Sequence, residues 1–156
     1  MSENTANGES LHYDNAAVLQ HMETYQNIIS RMANNSAACK NWCIILVSAF
    51  LAFVIDKGKG DVAWLGAIPI SIFWFLDAYY LGLENKFRDA ANASAKKIRE
   101  SNFLLADLFV IKADGSIPTQ MLKGVTSWAT WPVYMGLLLL LLFAMLCTGM
   151  PLPGKI

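Results

Sequence analysis

The sequence predicts an all-α membrane protein with three transmembrane helices, a hairpin followed by a C-terminal span. Hydrophobic residues make up 55% of the 156 residues, and the mean hydropathy is +0.38. These residues are concentrated in blocks, and about 20 apolar residues at about 1.5 Å rise each cross a hydrocarbon core of about 30 Å. A cytoplasmic N-terminal helix and a helical cytoplasmic extension of the second span complete the predicted fold.

Six segments follow from this pattern, and at 156 residues they fit one domain. They are a disordered tail (1–12), a cytoplasmic amphipathic helix (13–35), a transmembrane hairpin (37–82, with spans 37–55 and 62–81), a cytoplasmic helix with a small connecting region (83–124), a third transmembrane helix (125–148) and a short external tail (149–156). The polar, acidic N-terminus does not resemble a secretory signal, so the first span is expected to direct insertion.

The N-terminal helix carries a heptad-spaced apolar seam. Asp14 or Asn15 is the expected cap. The seam residues recur at intervals of four, three, four and three: Val18, Met22, Tyr25, Ile29 and Met32. Such a seam must pack on something. Two partners are open, namely other parts of the same chain or the same helix of a second subunit. Residues 34–36 (Asn-Asn-Ser) are expected to weaken the helix.

The first two spans are expected to form an antiparallel hairpin because only residues 56–61 separate them. Ser48, Ala49 and Ala52 are small residues on roughly one face of the first span, where a neighbouring helix could approach closely. Pro69 lies inside the second predicted span. It is expected to kink that helix or to free a backbone carbonyl near mid-membrane.

A polar stripe follows the second span. Asp77, Tyr80, Glu84 and Arg88 are spaced by three, four and four residues, so they share one helical face. An acid at membrane depth usually faces protein or water. Two interpretations are open. The stripe could line a pore or an inter-subunit seam. Alternatively, Asp77 could be a boundary residue that is wet by headgroup water and paired with a neighbouring group of the chain.

Beyond the stripe, residues 89–100 are expected to continue the second span as one long helix. Residues 103–111 are apolar but too few to span, so they should lie in a cytoplasmic core or at the membrane interface. Residues 113–116 form a turn signal, after which a small hairpin or a short helix would fit. In the third span, the leucine run 137–142 is expected to face lipid.

Aromatic and basic residues give the orientation. The interface aromatics are Trp42, Trp74, Tyr79, Trp128 and Trp131. Nine of the 12 lysines and arginines fall on one side of the three spans. By the positive-inside rule, the N-terminus is predicted to be cytoplasmic and the C-terminus outside.

The common catalytic and metal-binding motifs are absent from the sequence. The chain lacks a Gly-rich phosphate loop, a GxSxG elbow and an HExxH helix. Cys39 and Cys43 have no His or second Cys pair to complete a metal site. His21 is expected to be a solvated helix residue. The sequence therefore predicts a non-enzymatic protein without metal or cofactor. The zero formal net charge argues against nucleic-acid binding.

Residues 73–88 (FWFLDAYYLGLENKFR) resemble the hairpin exit of small bacterial membrane proteins. They are similar to the RipA-type oligomeric membrane proteins and to the SLATT-type two-span effectors of nucleotide-signalling anti-phage systems, over about residues 40–100. The third span departs from a two-span effector. The resemblance implies a ring-like homo-oligomer in the cytoplasmic membrane. The expected function is a pore or channel-like element in stress response or phage defence, and the alternative is a scaffold that docks a soluble cytoplasmic partner. The expected partners are the lipid bilayer and further copies of the chain.

Overall fold

The computed structural model describes residue 11 and residues 14–112 and 117–149, and this part of the chain is helical without any strand. Four α-helices follow in order: α1 (Ala16–Lys57), α2 (Ala67–Arg99), α3 (Ile117–Val125) and α4 (Trp131–Gly149). Two 3-10 helices, Gly60–Gly66 and Leu105–Asp107, lie between them. The predicted N-terminal tail apart from Leu11, the turn at 113–116 and the external tail beyond Gly149 lie outside the described residues.

Helix α1 is one continuous helix of 42 residues that joins the predicted N-terminal helix to the first span. Asn15 caps its start, with the side-chain oxygen accepting the Ala17 N–H at 2.9 Å. Gly58, at a φ of 60°, caps its end in the left-handed region that favours glycine. Residues 34–36 do not interrupt the helix. Ser36 directs its hydroxyl to Asp77 of α2, so it does not compete for the helix backbone.

The turn of the hairpin differs from the predicted one. Residues Gly60–Gly66 form a 3-10 helix, so α2 begins at Ala67 and not at Val62. Pro69 therefore lies in the first turn of α2, where a backbone N–H has no partner within the helix in any case. The predicted mid-membrane kink at Pro69 is wrong for this reason. From Ala67, α2 runs unbroken for 33 residues to Arg99.

Three helical stretches, within Ala16–Lys57, Gly60–Arg99 and Trp131–Thr148, are long and apolar enough to cross a membrane. The prediction of an all-helical chain with three such helices is confirmed at this level. The third begins later than residue 125, because α3 ends at Val125 and a turn separates it from α4. The residues after the 113–116 turn signal thus form a short helix and not a hairpin.

The three spans share a small core, and α4 contributes one face to it. The buried side chains are Cys43, Val47, Ile70, Tyr134, Leu137 and Leu141. Within the leucine run, Leu137 and Leu141 are buried, whereas Leu139, Leu140 and Leu142 are exposed. The predicted lipid-facing run is therefore two-faced, because residues four apart return to the same side of the helix.

Outside the spans, the N-terminal half of α1, the C-terminal half of α2 and residues 100–112 pack together, and we call this part the polar end. Tyr25 and Ile29 of α1 are buried against Ala91 of α2. In the apolar segment 103–111, Phe103 is buried, but four large side chains are exposed: Leu104, Leu105, Phe109 and Val110. Ile111 is half-buried and packs against the cluster of Tyr25, Ile29 and Ala91. Phe103 and Ile111, and not the whole segment, therefore contribute to the packing of the polar end.

Candidate functional site

Asp77 is the centre of the candidate site and has no exposed surface. The Ser36 hydroxyl donates a hydrogen bond to its Oδ1 at 2.5 Å, and the Lys40 ammonium donates to the same oxygen at 2.7 Å. Lys40 also donates to the Ser36 hydroxyl at 3.1 Å. The three side chains form a closed triangle that joins α1 to α2. Asp77 is thus paired within its own chain, as the boundary interpretation expected, but it is fully buried and not wet by headgroup water, which that interpretation also expected.

The hairpin brings Lys40 and Asp77 together although 37 residues separate them. The two helices are antiparallel, so the start of the first span and the end of the second lie at the same level. Ser36 and Lys40 are four residues apart on α1 and therefore point in the same direction. The periodicity of the single helices does not indicate Lys40 as the partner of Asp77. The order of the spans does indicate it. In an antiparallel hairpin, a lysine at the start of the first span and an acid at the end of the second lie on the same side of the membrane.

The second carboxylate oxygen of Asp77 is less well satisfied than the first. The Lys40 ammonium lies 2.7 Å from Oδ2, but this approach is that of an ion pair and not of an aligned hydrogen bond. On α4, the Tyr134 hydroxyl donates to the Phe73 carbonyl at 3.2 Å, one helical turn before Asp77. The Trp74 and Tyr134 rings stack at 5.8 Å. All three spans therefore meet at the level of the buried acid.

The rest of the predicted stripe does not join this triangle. Glu84 is 8% exposed and pairs with Arg88, whose Nε and Nη2 lie 2.8 and 2.7 Å from Glu84 Oε1. Tyr80 is half-buried, and its ring contacts that of Tyr79 at 5.7 Å. The four residues share one side of α2, but their charges form two separate, locally neutral pairs. Together they do not make a continuous polar surface.

The seam of the N-terminal helix is largely covered by the same chain. Val18, Tyr25 and Ile29 are buried, and Met22 and Met32 are half-buried. The side chains that cover Tyr25 and Ile29 belong to α2 and to the connecting segment. Within one molecule, this seam therefore packs on α2 and on residues 100–112 of the same chain. Contact of the seam with a second subunit stays a prediction.

The five predicted interface aromatics lie at different depths in the protein surface. Trp42 and Trp128 are 59% and 79% exposed, and Trp131 is 36% exposed. Trp74 and Tyr79 are half-buried. The exposed tryptophans are free to contact a surrounding headgroup layer, while Trp74 is held by its stack on Tyr134.

His21 contradicts its predicted place as a solvated helix residue, since it has no exposed surface. Its Nδ1 accepts the Phe109 backbone N–H at 3.1 Å, and its ring makes an edge contact with Tyr25 at 5.1 Å. Burial lowers the pKa of His21, and the nearby Asp107 carboxylate partly opposes that shift. The connecting segment folds over this part of α1, a contact that helical periodicity alone did not indicate.

Metal and thiol chemistry find little support in the described residues, which contain no group of three or more His, Cys, Asp or Glu side chains able to hold a metal ion. Cys39 and Cys43 are buried free thiols, and Cys147 is exposed.

The described part of the chain thus has the architecture of an all-helical protein with three candidate membrane spans. Comparison of the chain with protein-family models, with curated proteins and with solved structures gave no match. The resemblance to RipA-type and SLATT-type proteins therefore stays a prediction that rests on residues 73–88.

Proposed function

We propose that this chain is a non-enzymatic, homo-oligomeric protein of the bacterial cytoplasmic membrane that acts as a scaffold. Its three spans anchor the polar end at the cytoplasmic face, where it docks a soluble partner. The N-terminus is cytoplasmic and the C-terminus outside. The observation that favours a scaffold over a pore is the burial of Asp77. Its charge is neutralised by Lys40 of the same chain, and it accepts a hydrogen bond from Ser36. A conducting stripe needs open polar groups.

Self-association is supported by the outer face of the first span. Ser48, Ala49 and Ala52 are all exposed on α1, within a stretch that is otherwise large and apolar. Small residues on a membrane helix permit the backbone of another helix to approach closely, which improves packing between the two helices. A second copy of the chain is the partner that this proposal assigns to that face. The mass of the detergent-solubilised protein tests it, because a monomer would contradict the homo-oligomer.

One observation favours the second candidate function, a pore-like element serving stress response or phage defence. Asn34, Asn41 and Ser48 are exposed on α1 and spaced seven residues apart, so they lie along one outward stripe. In a ring of subunits, that stripe could face the central axis. It covers about 21 Å of helix length, but only Ser48 lies beyond the boundary level of Lys40 and Trp42.

The Asp77→Asn variant separates the two functions. A scaffold predicts a lower melting temperature and unchanged ion flux through liposomes, because the amide leaves the Lys40 ammonium unpaired without closing any path. A pore lined by Asp77 predicts altered cation flux with little change in melting. Ser48→Leu is the companion variant. If this single change abolished ion flux without lowering the melting temperature, a pore along α1 would be favoured.

A further inference from the structure

We propose that a cavity in the polar end binds a small molecule that carries a phosphate group. The cavity has a volume of about 350 Å³ and lies between α1, α2 and the connecting segment. Cavities of a few hundred Å³ are the usual size for small-molecule sites. It is separate from the Asp77 triangle and is formed within one chain, so it does not depend on the proposed assembly or on the docking of a partner protein.

Lysines supply the charge of this cavity. Lys86, Lys97 and Lys112 line it, together with the carboxylates of Asp89 and Asp107. Lys97 is already engaged by Asp107 at 2.8 Å. Lys112 lies in the exposed connecting segment. The positive charges outnumber the negative ones, and lysine binds phosphate as a flexible point charge.

Lys86 is the observation that points to a ligand. It is only 8% exposed, yet its ammonium makes no ion pair or hydrogen bond with any described residue. The side chain of Lys86 lines the cavity and ends there. The stem of Lys86 is covered by neighbouring side chains, and its ammonium reaches the open space of the cavity, where an anion can approach it. An anionic group bound there would supply the missing partner.

The remaining walls define the rest of the ligand. Tyr25 and Phe103 are buried aromatic side chains that line the cavity on the side of α1 and the connecting segment. Asp89 and Asp107 would accept hydrogen bonds from hydroxyl or amino groups, and they disfavour a ligand that is negative throughout. The chemistry that fits is a phosphate group on a small body that carries hydrogen-bond donors.

A soluble molecule and a lipid headgroup both carry phosphate, and position favours the soluble source. Lys86, the proposed phosphate partner, lies nine residues after Asp77 on the same helix, which is about 14 Å at about 1.5 Å per residue. A headgroup layer extends only about 6 Å beyond the hydrocarbon boundary. A headgroup would have to leave that layer to reach the cavity.

The experiment measures binding of glycerol 3-phosphate, a phosphate ester with two hydroxyl groups, to the full chain in lipid-free detergent micelles. Binding is followed by calorimetry and by thermal shift, against sodium chloride at equal ionic strength. We expect saturable binding that Lys86→Met weakens at least about 10-fold, as loss of a charge-assisted contact should. Lys112→Met should weaken it as well and, being an exposed change, should leave folding intact. Lys96→Met is the matched control, since Lys96 is on the same helix but does not line the cavity.

A parallel arm offers phosphatidic acid in nanodiscs in place of glycerol 3-phosphate. A Lys86-dependent response to glycerol 3-phosphate supports the site and assigns it to a soluble ligand. A Lys86-dependent response to phosphatidic acid alone supports the phosphate site but assigns it to lipid. Equal responses of the wild type and the Lys86→Met and Lys112→Met variants, or a thermal shift that sodium chloride reproduces, would overturn the proposal.

Discussion

Lys40 and Asp77 form the ion pair on which the packing of the first two spans depends, but the two side chains are not equivalent. Asp77 is fully buried, whereas the Lys40 side chain is 19% exposed. A lysine that loses its partner can extend its flexible stem toward water. A buried carboxylate that loses its partner has no such route, so removal of the lysine is the more costly change.

We therefore expect Lys40→Met to destabilise the fold by about 3–5 kcal/mol and Asp77→Asn by less. The double variant should cost less than the sum of the two single changes, because it removes both charges of the pair. Thermal melting in detergent measures all three, and Lys59→Met in the exposed hairpin turn is the control. Strictly additive losses would show that the two side chains do not interact.

His21 should make the stability of the polar end depend on pH. The pKa of His21 in the folded chain lies below the ordinary histidine value of 6.5, chiefly because the ring is buried. As pH falls through 6.5, the unfolded chain takes up a proton before the folded chain does, so stability decreases from there down to the folded pKa. Protonation would also place a hydrogen on Nδ1, the atom that accepts the Phe109 N–H.

The measurement is the melting temperature between pH 7.5 and 5.5, which should fall in the wild type and stay nearly level in His21→Gln. Asp107 does not obscure this window. Its folded pKa is lowered from 3.8, first by the hydrogen bond from Lys97, so its contribution is lost only at more acid pH. A wild-type melting temperature that is unchanged over this range would contradict the role of His21.

At the level of single residues, the sequence located the acid but not its environment. The spacing of Asp77 and Glu84 follows from the chain itself, and the Glu84–Arg88 pair is a local i,i+4 contact. The Lys40 partner and the burial of His21 arise from contacts between distant segments, which one-helix periodicity does not contain. For the hairpin, chain direction alone would have indicated Lys40.

Among the helices, α3 is held against α2 by two glycines. A methyl group on Gly124 would lie 2.6 Å from the Ala78 carbonyl oxygen, and one on Gly82 would lie 3.2 Å from the backbone of Gln120 and Met121. The two backbones are therefore nearly in contact. A methyl group at Gly124 has no room unless the backbone of Ala78 shifts, whereas one at Gly82 would require the backbone of α3 to give only slightly. This contact fixes α3 beside the end of the second span.

Gly124→Ala should destabilise the protein by about 1–3 kcal/mol, because the backbone of Ala78 cannot move aside as a flexible side chain would. Gly136→Ala is the matched control. It lies in α4 with nothing within 4 Å of an added methyl group, so it should be neutral or slightly stabilising through helix propensity. Equal melting temperatures of the two variants would contradict the close α2–α3 contact.

The boundaries of the helices were harder to predict than their existence. Apolar length fixed three candidate spans, since few other structures use so many consecutive apolar residues. The continuity of α1 through residues 34–36 depends on Ser36 finding an acceptor on another helix. The start of α2 depends on the 3-10 turn before Pro69. Both are properties of the packed hairpin.

For the whole molecule, the distribution of basic residues makes the remaining prediction, which concerns topology. The predicted topology assigns nine of the 12 lysines and arginines to the side of the polar end. It assigns Lys57, Lys59 and Lys155 to the other side. Such a bias normally places the richer side in the cytoplasm. Three spans then put the two ends of the chain in different compartments.

Reporter fusions at Met1 and after Ile156 measure this directly. The N-terminal fusion should report the cytoplasm and the C-terminal fusion the outside, and a third reporter within residues 100–112 should agree with the first. A fusion in the hairpin turn at Lys59 is the internal control, expected to agree with Ile156. If both termini reported the same compartment, the number of spans would be even, and α4 would have to lie on the membrane surface. Its core contacts through Tyr134, Leu137 and Leu141 argue for a span, since they place it beside α1 and α2 at the level of their own apolar segments.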